Sequence, residues 1–231
     1  MRVLLACAAG RQVASPAFLH DFYQVRLPEG SARCLIRGAH VEMGINTIIN
    51  SAIEQHFDYI FYMDDDFRCE SDVVLRCLQH GKDRVSPIIT ERLPPFRPYV
   101  FDRFDGEVPH FLPVPPTQKG LWQVPMIAGC PGLMATAIFR QLPFPWFPPN
   151  EFLPQEGVPG DVKYAQAWRQ GDMGFTRKLA AHGVRSYIDL DQAFGHEGTY
   201  QVRHHYDLAE QRWRTALITP EGTRPTQILI D

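Results

Sequence analysis

Residues 59–66 read Tyr-Ile-Phe-Tyr-Met-Asp-Asp-Asp, an apolar run that ends abruptly in three carboxylates. Three adjacent negative charges repel one another at neutral pH unless a cation lies among them. Carboxylate oxygens suit a hard divalent ion such as Mg²⁺ or Mn²⁺, and an ion held in that way can grip a diphosphate. Two further residues carry matching chemistry. Asp172 follows Gly171 and precedes Met173, Phe175, Leu179 and Ala180, whose spacing continues an amphipathic helix. A carboxylate near its ordinary pKa of ~3.9 is ionised there and ready to accept a proton. His196 sits between Gly195 and Gly198; the glycines let the backbone approach a ligand, and a neutral imidazole can complete a carboxylate metal site. Each residue also has a plain alternative: Asp as turn residue, Asp172 as helix cap, His196 as a structural or surface histidine.

These side chains need elements to carry them. Residues 59–63, short and rich in aromatic and β-branched types, read as a core strand, which puts Asp64 to Asp66 at its carboxyl end. Open α/β sheets bind their ligands at that end. Residues 3–8 and 33–36 read as earlier strands, with a Gly10-Arg11 loop after the first. Val41, Ile45, Ile48, Ile49, Ala52 and Ile53 recur at helical spacing, predicting a helix over 41–57. Ser71 can cap a helix running through His80, with Gly81 just past its end, and 84–90 returns as a strand. The alternation predicts an α/β fold with a mostly parallel sheet flanked by helices.

The middle of the chain is less periodic. Residues 94–125 are rich in proline and aromatics and read as a long ordered loop, a possible lid. Residues 126–139 are small and apolar around Gly129-Cys130-Pro131-Gly132 and are expected to enter the sheet. Residues 142–159 are again proline-rich. A helix is expected over 161–182, a strand over 185–190, and a charged helical segment over 207–215.

The 231 residues and their ordinary apolar share of 45% predict one domain over 1–231, with a core of about 1–200 and a tail or lid over 201–231. A net charge of −3 excludes a broad basic field of the kind that grips nucleic acid non-specifically. Five cysteines without a CxxC pair predict reduced thiols and a cytoplasmic setting. The apolar stretch before Cys7 is too short for a signal peptide, and no run approaches the ~20 residues of a membrane span.

Taken together, the motifs resemble a known family. The order is strand-Asp64-Asp65-Asp66, Gly129-Cys130-Pro131-Gly132, Pro145-Trp146-Phe147, then Gly171-Asp172 leading a helix to Gly183, and Phe194-Gly195-His196-Glu197-Gly198. This resembles the glycosyltransferases of the GT-A fold, especially the small family 2-like enzymes of phages and bacteria, over roughly residues 35–200. The resemblance implies a single Rossmann-like domain that moves a sugar, hexosyl in type, from a nucleotide-diphosphate sugar to a hydroxyl acceptor with Mn²⁺ or Mg²⁺. It implies metal ligation by Asp64, Asp66 and His196, donor contact by Asp64 and Asp65, and proton acceptance by Asp172 as in inverting members; Arg11 and Arg37 are further candidates for donor binding. Many relatives with a carboxyl-terminal metal histidine are retaining, so the stereochemical course stays open. One position departs from the family: the usual glutamate before the aspartate is Gly171 here.

Two other readings stand beside this one. A nucleotidyltransferase of the sugar-nucleotide pyrophosphorylase kind also uses such a sheet, although Ala8-Ala9-Gly10-Arg11-Gln12 matches its glycine-rich loop weakly. A module that binds nucleotide sugar without turnover is the second. The acceptor, whether glycan, lipid, protein or modified nucleic acid, is not spelled out by any motif. Arg92, Arg97 and Arg203 are further cations able to meet phosphate.

Overall fold

The computed structural model describes residues 1–9, 15–37, 40–91, 97–105, 108–115, 117–147 and 171–196, and the backbone of 201–207, 212–219 and 222–227. β1 (Val3–Ala9) is buried along its whole length, so its pattern is a continuous apolar run rather than an alternation. The period of two still acts, by sorting the run onto two faces. Leu4, Ala6 and Ala8 face one side, and Val3, Leu5, Cys7 and Ala9 the other.

Each face is covered by helices. On the first lie α2 (Val41–Glu54), α4 (Thr136–Gln141) and α5 (Gly171–Ala181), contributing Ile45, Ile48, Ile49, Phe139, Phe175 and Leu179. On the second lie α1 (Pro16–Gln24) and α3 (Val73–Gln79), contributing Phe18, Phe22, Val74 and Cys77. α1 was not anticipated, although its start carries a recognisable cap. Ser15 Oγ accepts from the Phe18 N–H at 2.9 Å, and Pro16 opens the first turn. α3 begins one residue beyond the expected Ser71 cap: its cap is Asp72, with no side-chain hydrogen bond. Gly81 and Gly183 adopt positive φ just after α3 and α5, as expected.

The central sheet has seven strands in the order β2-β1-β3-β10-β5-β11-β8. They are β2 (Ala32–Arg37), β3 (Tyr59–Tyr62), β5 (Arg84–Ile88), β8 (Leu121–Val124), β10 (Gly132–Ala135) and β11 (Ser186–Ala193) around β1. β1, β2, β3, β5 and β11 share one direction, and β8 and β10 run against them, so the sheet is mostly parallel. β10 slots between β3 and β5. There Gly132 has φ +99, and a Cβ on it would come within 2.5 Å of the Val85 carbonyl oxygen. Gly132→Ala therefore combines a left-handed backbone penalty with a backbone clash, and should cost about 3 kcal/mol. A melting temperature equal to wild type would contradict this close approach.

Two expectations need correction. Residues 94–125 are not one long loop: β6 (Val100–Asp105) and β7 (Val108–Phe111) form a hairpin, β9 (Met126–Ile127) joins them in a three-stranded sheet, and β8 enters the central one. The Asp105-Gly106 pair in the sequence is a hairpin signal that the surrounding prolines obscured. Among the described residues of 207–215 there is strand where a helix was expected. β13 (Gln201–Asp207), β14 (Arg212–Thr219) and β15 (Gly222–Gln227) form antiparallel ladders instead. Trp213, Thr215, Ile218 and Thr219 favour strand, and cross-strand pairing outweighs the charges that suggested a helix. Among the described residues no helix is long and apolar enough to cross a membrane.

A catalytic cleft candidate at the carboxyl edge of the sheet

Strand β3 ends where the Met63 N–H donates to the Ala6 carbonyl at 3.0 Å. The chain then turns: the Phe67 N–H donates to the Asp64 carbonyl at 3.1 Å, which places Asp65 and Asp66 at the two central positions of a tight turn. The turn separates three adjacent carboxylates. Asp66 is driven inward, to 1% exposure, while Asp64 and Asp65 stay half-buried. Oδ2 of Asp65 is buried and meets no hydrogen-bond partner among the described residues.

After the turn the chain leaves the central sheet. β4 (Phe67–Arg68) belongs to a second sheet of order β15-β14-β13-β12-β4, and pairs antiparallel with β12 (Gly195–His196). The register sets His196 opposite Phe67, the residue that follows Asp66. The His196 ring is 6% exposed and lies edge-on to Phe67 at 4.8 Å and to Tyr99 at 6.4 Å. Phe194 stacks on Phe67 at 4.9 Å, and its N–H donates to Ile88 of the central sheet. Arg68 forks onto Asp21 of α1 with contacts of 2.6 and 3.1 Å, so the strand after the turn is tied to both sheets and to a helix. In this way two motifs far apart in sequence become neighbours.

Arg37 is the last residue of β2, level with Ala9 at the same edge of the sheet. It shares that edge with the triplet. Burial pushes the Cys7 thiol pKa up, the charges of Asp64 and Asp65 raise it further, and Arg37 opposes them. Arg11 and Arg92 lie outside the described residues, as does the side chain of Arg203. Arg97 is engaged within the protein, forked onto Glu91 at 2.8 and 2.9 Å and set over the Phe111 ring at 3.8 Å.

Asp172 occupies the first turn of α5. Gly171 before it is buried and has φ +56, a conformation in which a glutamate would be strained. The Asp172 carboxyl rests against Gly129 so closely that a Cβ there would lie 3.0 Å from its Cγ. Protein crowds this carboxylate, although Asp172 as a whole residue is exposed. Burial first, and the negative charge of Glu42 second, raise its pKa to about 6. Asp64 and Asp172 both act on the buried hydroxyl of Tyr62 and the buried thiol of Cys130, raising each pKa beyond the effect of burial, which is the larger cause. Asp64 and Asp172 therefore bear on the same two buried groups.

Glu42 went unnoticed in the sequence, where an acidic residue in the first turn of α2 reads only as a complement to the helix dipole. It supplies a second carboxylate beside Asp172 from a different element, in a chain whose residue 171 is glycine. The α2–α5 geometry is fixed by residues 142–147. Asn46 exchanges two hydrogen bonds with the Phe147 backbone, at 2.6 and 3.1 Å, and Lys178 Nζ donates to the carbonyls of Pro143 and Pro145. Trp146 and Phe147, singled out in the sequence as part of a motif, are core residues here. The Trp146 indole N–H donates to the Phe139 carbonyl, and Phe147 stacks on Phe175 at 4.2 Å.

Among the described residues no group of three or more His, Cys, Asp or Glu side chains is placed to hold a metal ion. The donors at the turn nonetheless fit Mg²⁺ or Mn²⁺, which take one or two carboxylates from the protein and complete their shells with water and phosphate oxygens. The buried, unsatisfied Oδ2 of Asp65 suits the same electropositive neighbour.

No family model matches the chain, and neither does any curated protein. Solved structures do. A197 from STIV superposes with a TM-score of 0.51 at 15% identity, over 97% of this chain and 93% of that one. The fold is GT-A-like. TarS of S. aureus gives a TM-score of 0.45 at 10% identity over 84% of this chain, which spans about a third of TarS (36%). At 15% identity the likeness to A197 concerns architecture alone. The mostly parallel α/β sheet flanked by helices agrees with the fold class expected from the sequence, and the acidic turn directly follows the third strand in chain order.

Proposed function

We propose that the protein is a glycosyltransferase that moves a sugar, hexosyl in type, from a nucleoside-diphosphate sugar to a hydroxyl acceptor with the help of Mn²⁺ or Mg²⁺. The observation that carries this reading is the pairing of β4 with β12, which brings His196 beside the acidic turn.

In this reading Asp64, Asp66 and His196 hold the cation, with Asp64 also turned to the donor. Asp65 and Arg37, at the same edge, bind donor groups, and Arg11, outside the described residues, is assigned the same role. A bound cation would supply neutralisation of the charge that develops on the departing diphosphate. Asp172 accepts the proton of the acceptor hydroxyl. Its raised pKa suits that task, because a base poised near the working pH is most effective. Its negative charge also favours an oxocarbenium-like sugar.

The test is melting temperature against UDP, GDP, ADP, CMP and dTDP, each with and without Mn²⁺. One nucleotide together with the metal should raise it by about 5–10 °C at saturation, since ligand binding to the folded state stabilises by mass action. If no pair shifts it, the donor-site reading fails. Product analysis with the matching nucleotide sugar then separates the chemistries: nucleoside diphosphate signals sugar transfer, pyrophosphate signals nucleotidyl transfer, and no product signals a binding module.

A further inference from the structure

Arg84, on β5, is 1% exposed, and among the described residues no carboxylate pairs with it. Burial lowers its pKa to about 10, so it stays charged at neutral pH. A guanidinium held inside a core by neutral acceptors is costly, and its bonds show what it does there. Nη1 donates to Ser186 Oγ at 3.0 Å, and Nη2 donates to two carbonyls, Ile127 at 3.0 Å and Gly129 at 2.7 Å. The segment before Cys130 is thereby gripped at two points.

The same segment is held from the opposite side. Thr176, 0% exposed, accepts from the Gly129 N–H through Oγ1 at 2.9 Å. That hydroxyl also lies 3.0 Å from the Ile127 carbonyl and 2.8 Å from the Asp172 carbonyl, to either of which it can donate its one proton. Asp172 and Thr176 are one helical turn apart on α5. Gly129, bonded through both its N–H and its C=O, presents its bare Cα to the Asp172 carboxyl. The contacts form a ring from Asp172 to Thr176 to Gly129 and back.

We propose that Arg84 and Thr176 are positioning residues: they lock the Gly129 backbone against the Asp172 carboxylate and so fix its location and its partial exclusion from water. The inference rests on Asp172 being the proton acceptor only for its functional meaning; the positioning itself can be tested without turnover. Ordinary core packing is the competing account. It predicts that removing the Thr176 hydroxyl lowers stability and nothing more, whereas the lock predicts a changed environment at Asp172.

The experiment is a ¹³C carboxyl titration of Asp172, assigned by comparison with Asp172→Asn, in wild type, Thr176→Ser, Thr176→Val and Arg84→Lys. Thr176→Ser keeps the hydroxyl and should titrate with wild type. In Thr176→Val and Arg84→Lys the midpoint should fall by about one pH unit, toward the ordinary carboxylate range, as Gly129 retreats and water enters. If both variants melt lower but titrate like wild type, the lock is overturned. Should Thr176→Val not fold, Arg84→Lys alone decides between the same two results. Failure of the base assignment looks different, because Asp172→Asn would then retain turnover whatever the titrations show.

Discussion

Asp172→Asn is expected to slow sugar transfer by about 10²–10⁴-fold, the range supplied by a positioned base, and to yield a more stable protein at pH 8. Both effects follow from one carboxylate. Its pKa is about 6 in the folded protein and 3.8 in the reference state, so between these values the folded chain holds a proton that the unfolded chain has released. The stability that comes with protonated Asp172 is complete below about pH 4 and is lost as pH rises toward 6. Asparagine imitates the protonated form at every pH. The variant should therefore match wild type near pH 4 and exceed it at pH 8. The gain is on the order of 1 kcal/mol, or 2–4 °C, once the exposure of the residue is allowed for. In wild type, transfer should rise through pH 6 as the base ionises. A variant that is both less stable at pH 8 and fully active would show Asp172 to be a plain helix-cap residue.

The second large effect is expected at Asp66. Asp66→Ala should abolish the joint stabilisation by nucleotide and Mn²⁺ and reduce transfer by about 10³-fold, as removal of several kcal/mol of charge neutralisation implies. The informative comparison is between metal-free and metal-saturated protein. A structural role for this buried carboxylate would lower both melting temperatures together. A ligand role lowers the second far more than the first, because the substitution also relieves repulsion within the triplet. Isothermal titration of Mn²⁺ in the presence of the stabilising nucleotide gives an independent reading. Undiminished Mn²⁺ binding in Asp66→Ala would remove the residue from the metal site.

The parts of the fold that were legible in the sequence are those specified locally. The stripe of Ile45, Ile48, Ile49 and Ala52 marks a helix because its period is set within the helix itself, and it faces the core as expected. The apolar run before Asp64 marks a buried strand for the same reason, and the glycines at 81 and 183 stop helices by their own backbone conformation. β6 to β9 and β13 to β15 were not legible because strands are stabilised by partners distant in sequence, and proline or charge masks their weak local pattern. In the site, the triplet and His196 were nameable as residue types. What joins them, the register of β4 against β12, is a long-range pairing without a local signature. Glu42 was hidden for a different reason: its charge bears on Asp172 from a helix distant in sequence.

That register has a consequence for how the protein is made. Among the described residues, β12 is the only neighbour of β4 in the second sheet, so the strand following the acidic turn has nothing to pair with until β12 exists. Chains emerge from the ribosome amino end first. Asp64 to Asp66 are thus exposed to the cell long before His196 has been synthesised, and for that interval the acidic turn lacks the strand that carries the histidine. A nascent chain halted between residues 66 and 196 carries the acidic turn, but not the imidazole that pairs beside it. On the proposed reading, a chain released before residue 196 would lack one of the cation's ligands and should transfer no sugar.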